Sequence, residues 1–141
     1  MKKIFILIIF CIFLIGCSNS FDLEKAKLKL VENDYEIANE IKNEDDLYLS
    51  NYMVNNLLEE KGYDFKVELT YIIQYNNEEN VDFLLIIELK DKSVINEFYN
   101  YIKKETFKDN ECIAKCDNYL LISNNNNTFD LLNIRVRNKY L

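Results

Sequence analysis

The candidates for chemistry in this chain are its cysteines and carboxylates, because histidine is absent. The 141 residues include four cysteines and 24 acidic residues, but no histidine. A Ser-His-Asp or Cys-His mechanism is therefore excluded. The commonest general base and the commonest nitrogen ligand for metals are missing as well. The only glycines are Gly16 and Gly62, so the chain has no glycine-rich loop that could hold a phosphate group.

Cys112 and Cys116 are four residues apart, a spacing that permits three interpretations. On a strand, such residues lie on one face about 13 Å apart, whereas a disulfide needs Cα atoms within about 7 Å. On a helix, positions i and i+4 come close enough for a disulfide to be considered. Two thiolates alone make a poor zinc site, because zinc takes four ligands. The sequence favours free structural thiols, with a disulfide as the main alternative and redox or metal chemistry as the third.

Three pairs of adjacent acidic residues offer the remaining route to catalysis. A glycoside hydrolase needs two carboxyl groups that face each other across a cleft, one of them with a raised pKa. Adjacent acids on polar segments are more typical of a solvated surface. None of the pairs has the spacing or the turn glycine of a calcium loop, so no metal site is predicted. The three pairs are Asp45-Asp46, Glu59-Glu60 and Glu78-Glu79.

Tyrosines offer a way to bind without catalysis. The chain contains ten of them. Tyr71 and Tyr75 fall on the apolar side of a predicted strand and are expected in the core. Tyr48, Tyr52 and Tyr63 lie around an acidic segment outside that strand, and we predict that they form a recognition surface.

The first 17 residues contain the most specific pattern of the chain. A basic start, Met1-Lys2-Lys3, precedes an apolar run from Ile4 to Ile15, which is typical of a secretory signal. The run ends in Leu14-Ile15-Gly16-Cys17, which resembles the lipobox of bacterial lipoproteins. One alternative is a transmembrane helix, but that needs about 20 apolar residues and the run has 12. The other is an ordinary secretory signal with Cys17 as an incidental thiol.

The lipobox resemblance implies a cellular location and a membrane anchor, but no activity. It implies that Leu14, Ile15 and Gly16 are recognised for cleavage and that Cys17 receives a diacylglyceryl group. Two acyl chains anchor a protein stably, whereas one chain binds only marginally. We therefore expect the protein on the extracytoplasmic face of the cell membrane, with no cofactor besides this covalent lipid on Cys17.

The resemblance also divides the chain into three parts. Residues 1–16 are expected to be the cleaved signal peptide, 17–21 a lipidated tether, and 22–141 a single globular domain. Cleavage leaves 125 residues, an ordinary size for one domain. It also removes Lys2 and Lys3, which changes the formal net charge from −7 to −9. Such an acidic surface disfavours nucleic acid and anionic headgroups, so the acyl chains must provide the membrane attachment.

Hydrophobic patterning predicts an α+β domain. Apolar residues alternate from Phe65 to Tyr75, which predicts a strand with one buried face. Val81 to Leu89 reads as a second strand, and because Leu84–Ile87 is apolar on both faces, we expect it to be central and covered on both sides. Helices are predicted from Asp22, from Ser50 to Gly62, after Asp91 or Ser93, and from a Thr128 cap. The second of them has Met53, Val54, Leu57 and Leu58 on one face. Asn43-Glu44-Asp45-Asp46 is predicted as an acidic loop, Asp117-Asn118 as a hairpin turn and Asn124–Asn127 as a polar loop.

This order of elements predicts an antiparallel sheet of about four to five strands, with helices packed mainly on one face. It is similar to the order in small lipoproteins of low-GC bacteria whose function is unassigned, so that resemblance implies no activity. We predict a lipid-anchored, non-enzymatic binding or accessory domain whose partner is an envelope protein or a glycan. The alternative hypothesis is a cell-envelope hydrolase that uses carboxylates as acid and base.

Overall fold

The computed structural model describes residues 20–105 and 111–134, which contain four α-helices and a five-stranded sheet. The helices are α1 (Leu23–Glu32), α2 (Glu44–Glu60), α3 (Ile95–Glu105) and α4 (Asn126–Leu131), and a 3-10 turn at Lys92–Val94 precedes α3. The strands are β1 (Glu36–Ile41), β2 (Leu69–Asn77), β3 (Asp82–Leu89), β4 (Cys112–Cys116) and β5 (Tyr119–Ser123).

The sheet has the strand order β1-β2-β3-β5-β4, and every neighbouring pair is antiparallel. Two hairpins, β2–β3 and β4–β5, meet along the β3–β5 pairing. The turn of the second hairpin is Asp117-Asn118, as predicted, and Asp117 has a φ of 52°. Aspartate tolerates this left-handed conformation better than most residues, which explains its position there.

Helices cover both faces of the sheet. We call the face covered by α1 and α4 the α1 side, and the face covered by α2 and α3 the α2 side. β3 contributes buried residues to both cores because successive side chains of a strand point to opposite faces. The α1-side core includes Leu30, Tyr75, Ile86, Leu121 and Phe129, and the α2-side core includes Leu58, Leu89, Phe98, Tyr101 and Leu120.

The predicted α+β class and the antiparallel sheet are confirmed, and so is the central position of β3. The helices, expected mainly on one face, are instead divided evenly between the two faces. The reason for this division is that Leu84–Ile87 of β3 is apolar on both faces. A central strand that is apolar on both faces leaves exposed apolar surface unless helices cover both sides.

A bulge at Thr70 corrects the prediction of one strand with a single buried face from Phe65 to Tyr75. Leu69 pairs with Leu89, but Tyr71 pairs with Glu88, so an extra residue is inserted in β2. Of the alternating set, Phe65, Val67 and Leu69 before the bulge therefore pack on the α2 side, whereas Tyr71, Ile73 and Tyr75 after it pack on the α1 side. The alternation of residue types runs through the bulge without a break, so the pattern alone does not reveal it.

The boundaries of α2 also differ from the prediction. The helix begins at Glu44, not at Ser50, because the Asn43 side chain caps it by accepting a hydrogen bond from the Asp46 N–H at 2.9 Å. The segment predicted as an acidic loop is thus the first turn of the helix, where the helix dipole stabilises acidic side chains. Gly62 follows the helix with a φ of +80°, as its predicted role at the end of a helix requires.

The asparagines at 124–127, predicted as a polar loop, have structural functions. Asn124 accepts a hydrogen bond from the Phe83 N–H and donates one to the Val81 carbonyl, both at 2.8 Å, which extends the contact between β5 and β3. Asn125 caps α4 in place of Thr128. Thr128 is buried instead, with its hydroxyl 2.9 Å from that of Tyr35.

Two asparagines attach α2 to the extended chain that leads into β2. Asn51 donates to the Leu69 carbonyl at 3.1 Å and accepts from the Leu69 N–H at 2.6 Å. Asn55 makes the same pair of bonds with Val67, each at 2.9 Å. β1 pairs with β2 only from Ile72 onward, so this segment has β3 on one side and no strand neighbour on its β1 side. The two amide side chains take the place of that neighbour.

We predict that Asn51→Ala and Asn55→Ala each lower the free energy of unfolding by about 1–3 kcal/mol, because a partly buried N–H and carbonyl lose their partners. Urea denaturation of the purified protein measures this change. Asn100→Ala is the control, since Asn100 is an exposed asparagine in α3, and it should change the stability by less than about 0.5 kcal/mol. Equal effects at all three positions would contradict the proposed attachment.

Candidate functional site

The outer surface of α2 is a continuous row of apolar and tyrosine side chains, which we call the α2 stripe. Its members follow one another at helical spacing, as i, i+4 and i+8, so they lie side by side along one face of the helix. Their side chains are between 46% and 73% exposed. They are Tyr48, Leu49, Tyr52, Met53 and Leu57.

The α2 stripe is unusual because α2 exposes five large apolar or tyrosine side chains, while Asn51 and Asn55 bind the domain beside Val54 and Leu58. Leu58 is the only fully buried residue of this 17-residue helix. The sequence predicted Met53, Val54, Leu57 and Leu58 on one face. In the structure Val54 and Leu58 pack inward, whereas Met53 and Leu57 point outward. A contiguous exposed apolar patch on a folded domain is typical of a surface that binds another molecule.

Acidic residues flank the α2 stripe at both ends. The first turn of α2 carries Glu44, Asp45 and Asp46, the last two residues are Glu59 and Glu60, and the helix has no basic residue. The lysines next to each end pair elsewhere, Lys42 with Glu40 at 2.9 Å and Lys61 with Glu105 at 3.5 Å. No salt bridge within the described residues involves the five acids of α2.

Two of the three predicted recognition tyrosines lie together on the α2 stripe. Tyr48 and Tyr52 are one turn apart and are 73% and 58% exposed. Tyr63 lies elsewhere, half-buried against Tyr101 at 5.1 Å between ring centroids, with its hydroxyl donating to Glu105 at 3.3 Å. Its aromatic neighbours make it part of the α2-side packing. The i, i+4, i+8 spacing of Leu49, Met53 and Leu57 groups them on one face of the helix, but it does not show that this face is exposed.

Cys112 and Cys116 are both free and lie at the two ends of β4 on the α1 side. Four residues along a strand place them about 13 Å apart, beyond the reach of a disulfide, which favours the predicted free thiols. Burial raises the pKa of both thiols, with a smaller contribution from Asp117 at Cys116. A raised pKa disfavours the reactive thiolate, as expected for structural cysteines.

The carboxylates that make close contacts are held by hydrogen-bond donors. Tyr71 donates to Glu40 at 2.6 Å, and Tyr119 donates to Glu88 at 2.7 Å. The bond from Tyr71, assisted by Lys42, lowers the pKa of Glu40. This shift is opposite to the raised pKa that a general acid in a glycosidase requires. No cluster of three acidic or cysteine residues that could hold a metal ion lies within residues 20–105 and 111–134.

The lipobox residues Leu14, Ile15, Gly16 and Cys17 lie outside the described residues. The described chain begins close to them, and Phe21 packs on the α1 side with its ring centroid 4.9 Å from that of Tyr119. Asp22 then caps α1, as predicted, by accepting from the Lys25 N–H at 3.1 Å. Of the described helices, none is both long and apolar enough to cross a membrane.

No protein-family model matches this chain, and no curated protein or solved structure matches it significantly. Two features of the chain itself therefore bear on its function. These are the lipobox pattern in the sequence and the α2 stripe in the structure.

We predict that Cys112 and Cys116 of the unfolded protein each take up one maleimide group without prior reduction. The reason is that the β4 strand holds the two sulfur atoms beyond bonding distance. Mass spectrometry of protein denatured in urea with maleimide measures the uptake. The same sample reduced first is the control and should give an identical mass. A mass increase that appears only after reduction would show a disulfide.

Proposed function

We propose that this protein is a lipid-anchored, extracytoplasmic binding domain that holds an envelope protein against the membrane surface through the α2 stripe. The main support for the proposed binding role is the exposed α2 stripe. Five neighbouring side chains, two of them tyrosines, expose apolar surface on a helix that is firmly attached to the domain. Tyrosine and methionine are enriched at protein interfaces, where large side chains give much contact area.

The lipobox pattern supports the anchoring part of the proposal. Lipid on Cys17 would bring the domain close to the membrane, because Phe21 already packs on the sheet. Only residues 17–20 remain as a linker, which spans at most about 14 Å when fully extended. The anchor therefore holds the domain near the membrane surface, with the α2 stripe on the opposite face of the sheet from Phe21.

Of the two partner classes predicted from the sequence, a protein fits the stripe better than a glycan. Sugar rings stack on flat aromatic faces and need hydrogen-bonding groups around them. The stripe has aliphatic Leu49, Met53 and Leu57 next to its two tyrosines, so most of its area is suited to apolar packing. The hydrolase alternative has less support, because Tyr71 stabilises the charged form of Glu40 and the paired acids on α2 lie on an exposed helix surface.

We predict that Cys17→Ala moves the protein from the membrane fraction into the soluble fraction, because the acyl chains provide the attachment. Cell fractionation followed by immunoblotting measures the distribution. Cys112→Ala is the matched control, since it removes a thiol that is not in the lipobox, and this variant should stay with the membrane. Retention of a Cys17→Ala protein whose signal has been removed would contradict the lipid anchor.

We also predict that a photo-crosslinking amino acid placed at Tyr52 in intact cells captures an envelope protein, because the stripe is the contact surface. The same amino acid at Val81 is the control. Val81 is 79% exposed but lies in the β2–β3 turn, away from α2. Adducts of the same protein with the same yield from both positions would argue against a specific role for α2.

A further inference from the structure

The charges around the α2 stripe define the chemistry of what it can bind. Apolar residues 48–57 cover a length of about 14 Å along the helix axis. The acidic groups at Asp46 and Glu59 are about 20 Å apart, so they lie just beyond the two ends of the stripe. A complementary partner therefore presents an apolar ridge of similar length with a positive charge at each end.

Glu59 and Glu60 are placed where helix stability disfavours them. The C-terminal end of a helix carries a partial negative charge, so acidic residues in the last turn are destabilising and basic residues are preferred there. The last turn of α2 has no basic residue. Lys61 follows the pair but forms its salt bridge with Glu105 at 3.5 Å, and no described lysine forms one with Glu59 or Glu60. Both carboxylates are exposed and form no salt bridge within the described residues, which leaves them available to a partner of opposite charge.

A second copy of this chain does not fit the same surface. Two α2 helices packed antiparallel would place the Glu44–Asp46 group of one copy against Glu59 and Glu60 of the other. A parallel arrangement would place each acidic group against the same acidic group of the other copy. Both arrangements bring like charges together around the apolar contact, which weakens association and disfavours a dimer.

The membrane surface is also a poor partner for α2. Helices that lie in the membrane interface carry lysine and arginine on their polar face, where they attract anionic headgroups. α2 has five acidic residues and no basic one, so headgroups of negative charge repel it.

We propose that the α2 stripe binds a basic amphipathic helix of an envelope protein, with apolar side chains along its centre and lysine or arginine at both ends. This inference rests on the function proposed above and specifies its partner. The apolar ridge packs on Tyr48, Tyr52 and Met53, while the basic ends pair with the two acidic groups of α2.

The experiment uses the full chain in isolated membranes, with the photo-crosslinking amino acid at Tyr52. The test variant is Glu59→Gln with Glu60→Gln, and the control is Glu78→Gln with Glu79→Gln. The control makes the same change at another exposed pair, in the β2–β3 turn. Loss of Glu59 and Glu60 should stabilise α2 or leave it unchanged, so reduced binding cannot come from unfolding. Circular dichroism of each variant checks this.

We expect the test variant to reduce the yield of the crosslinked partner about fivefold at 50 mM salt, because two ion pairs at the rim are lost. The control should leave the yield unchanged. Raising the salt to about 500 mM should lower the wild-type yield towards that of the variant, since salt screens exposed charges. Mass spectrometry should place the crosslink in a helical segment rich in lysine or arginine.

Other results would overturn this inference in distinguishable ways. A protein adduct whose contacting segment is neutral or acidic, with a yield independent of salt, would reject the basic helix and leave the proposed function intact. An adduct with a second copy of the chain, or with lipid alone, would replace the proposed partner. The absence of any adduct from Tyr52 would reject the stripe as a binding surface, and with it the proposed function.

Discussion

The position of α2 depends on the pairing of two amide side chains with exposed backbone. Asn51 and Asn55 are one helical turn apart, about 6.0 Å along the helix axis, and they bind residues two apart on an extended chain, about 6.6 Å. These distances are nearly equal, so a helix can present two asparagines to alternate peptide groups with good geometry at both. The interaction also covers backbone that β1 leaves without a partner, where an open strand edge would invite association.

This polar attachment explains why α2 can expose its apolar side. A helix that packs on a core through apolar contacts has its large apolar residues buried, and its outer surface is polar. Hydrogen bonds from two asparagines, together with Leu58 and Val54, hold α2 on the domain. This helix therefore needs fewer apolar contacts than one that packs through apolar residues alone. Tyr48, Tyr52 and Met53 are then available for another molecule. The polar contact and the apolar surface are thus two consequences of the same arrangement.

The bulge at Thr70 allows one segment of chain to serve both layers of helices. Before it, Val67 and Leu69 face α2 and α3, and after it, Ile73 and Tyr75 face α1. Without the extra residue, one of these sets would point away from its core, because a shift of one position moves every side chain to the opposite face. The hydroxyl of Thr70 donates to Glu88 at 2.8 Å, so the bulge also has a specific hydrogen-bond partner.

Local signals in the sequence predicted the features that depend on neighbouring residues. The Asp22 cap, the left-handed Gly62 and the Asp117-Asn118 turn could be predicted because each needs only a few adjacent residues. The central strand could be predicted because four successive apolar residues have no other stable position. The bulge could not, since residue types alternate through it, and neither could the Asn51 pairing, which joins residues 18 apart.

The same distinction applies to the candidate site. The sequence indicated Tyr48 and Tyr52, but it could not separate them from Tyr63, whose burial depends on Tyr101 in a distant helix. It placed Met53 and Leu57 in the core, because apolar residues at helical spacing normally face inward. They are exposed instead, because Asn51 and Asn55 on the other side of α2 bind the domain. A surface of this kind becomes visible only when the long-range contacts show which face of the helix is already occupied.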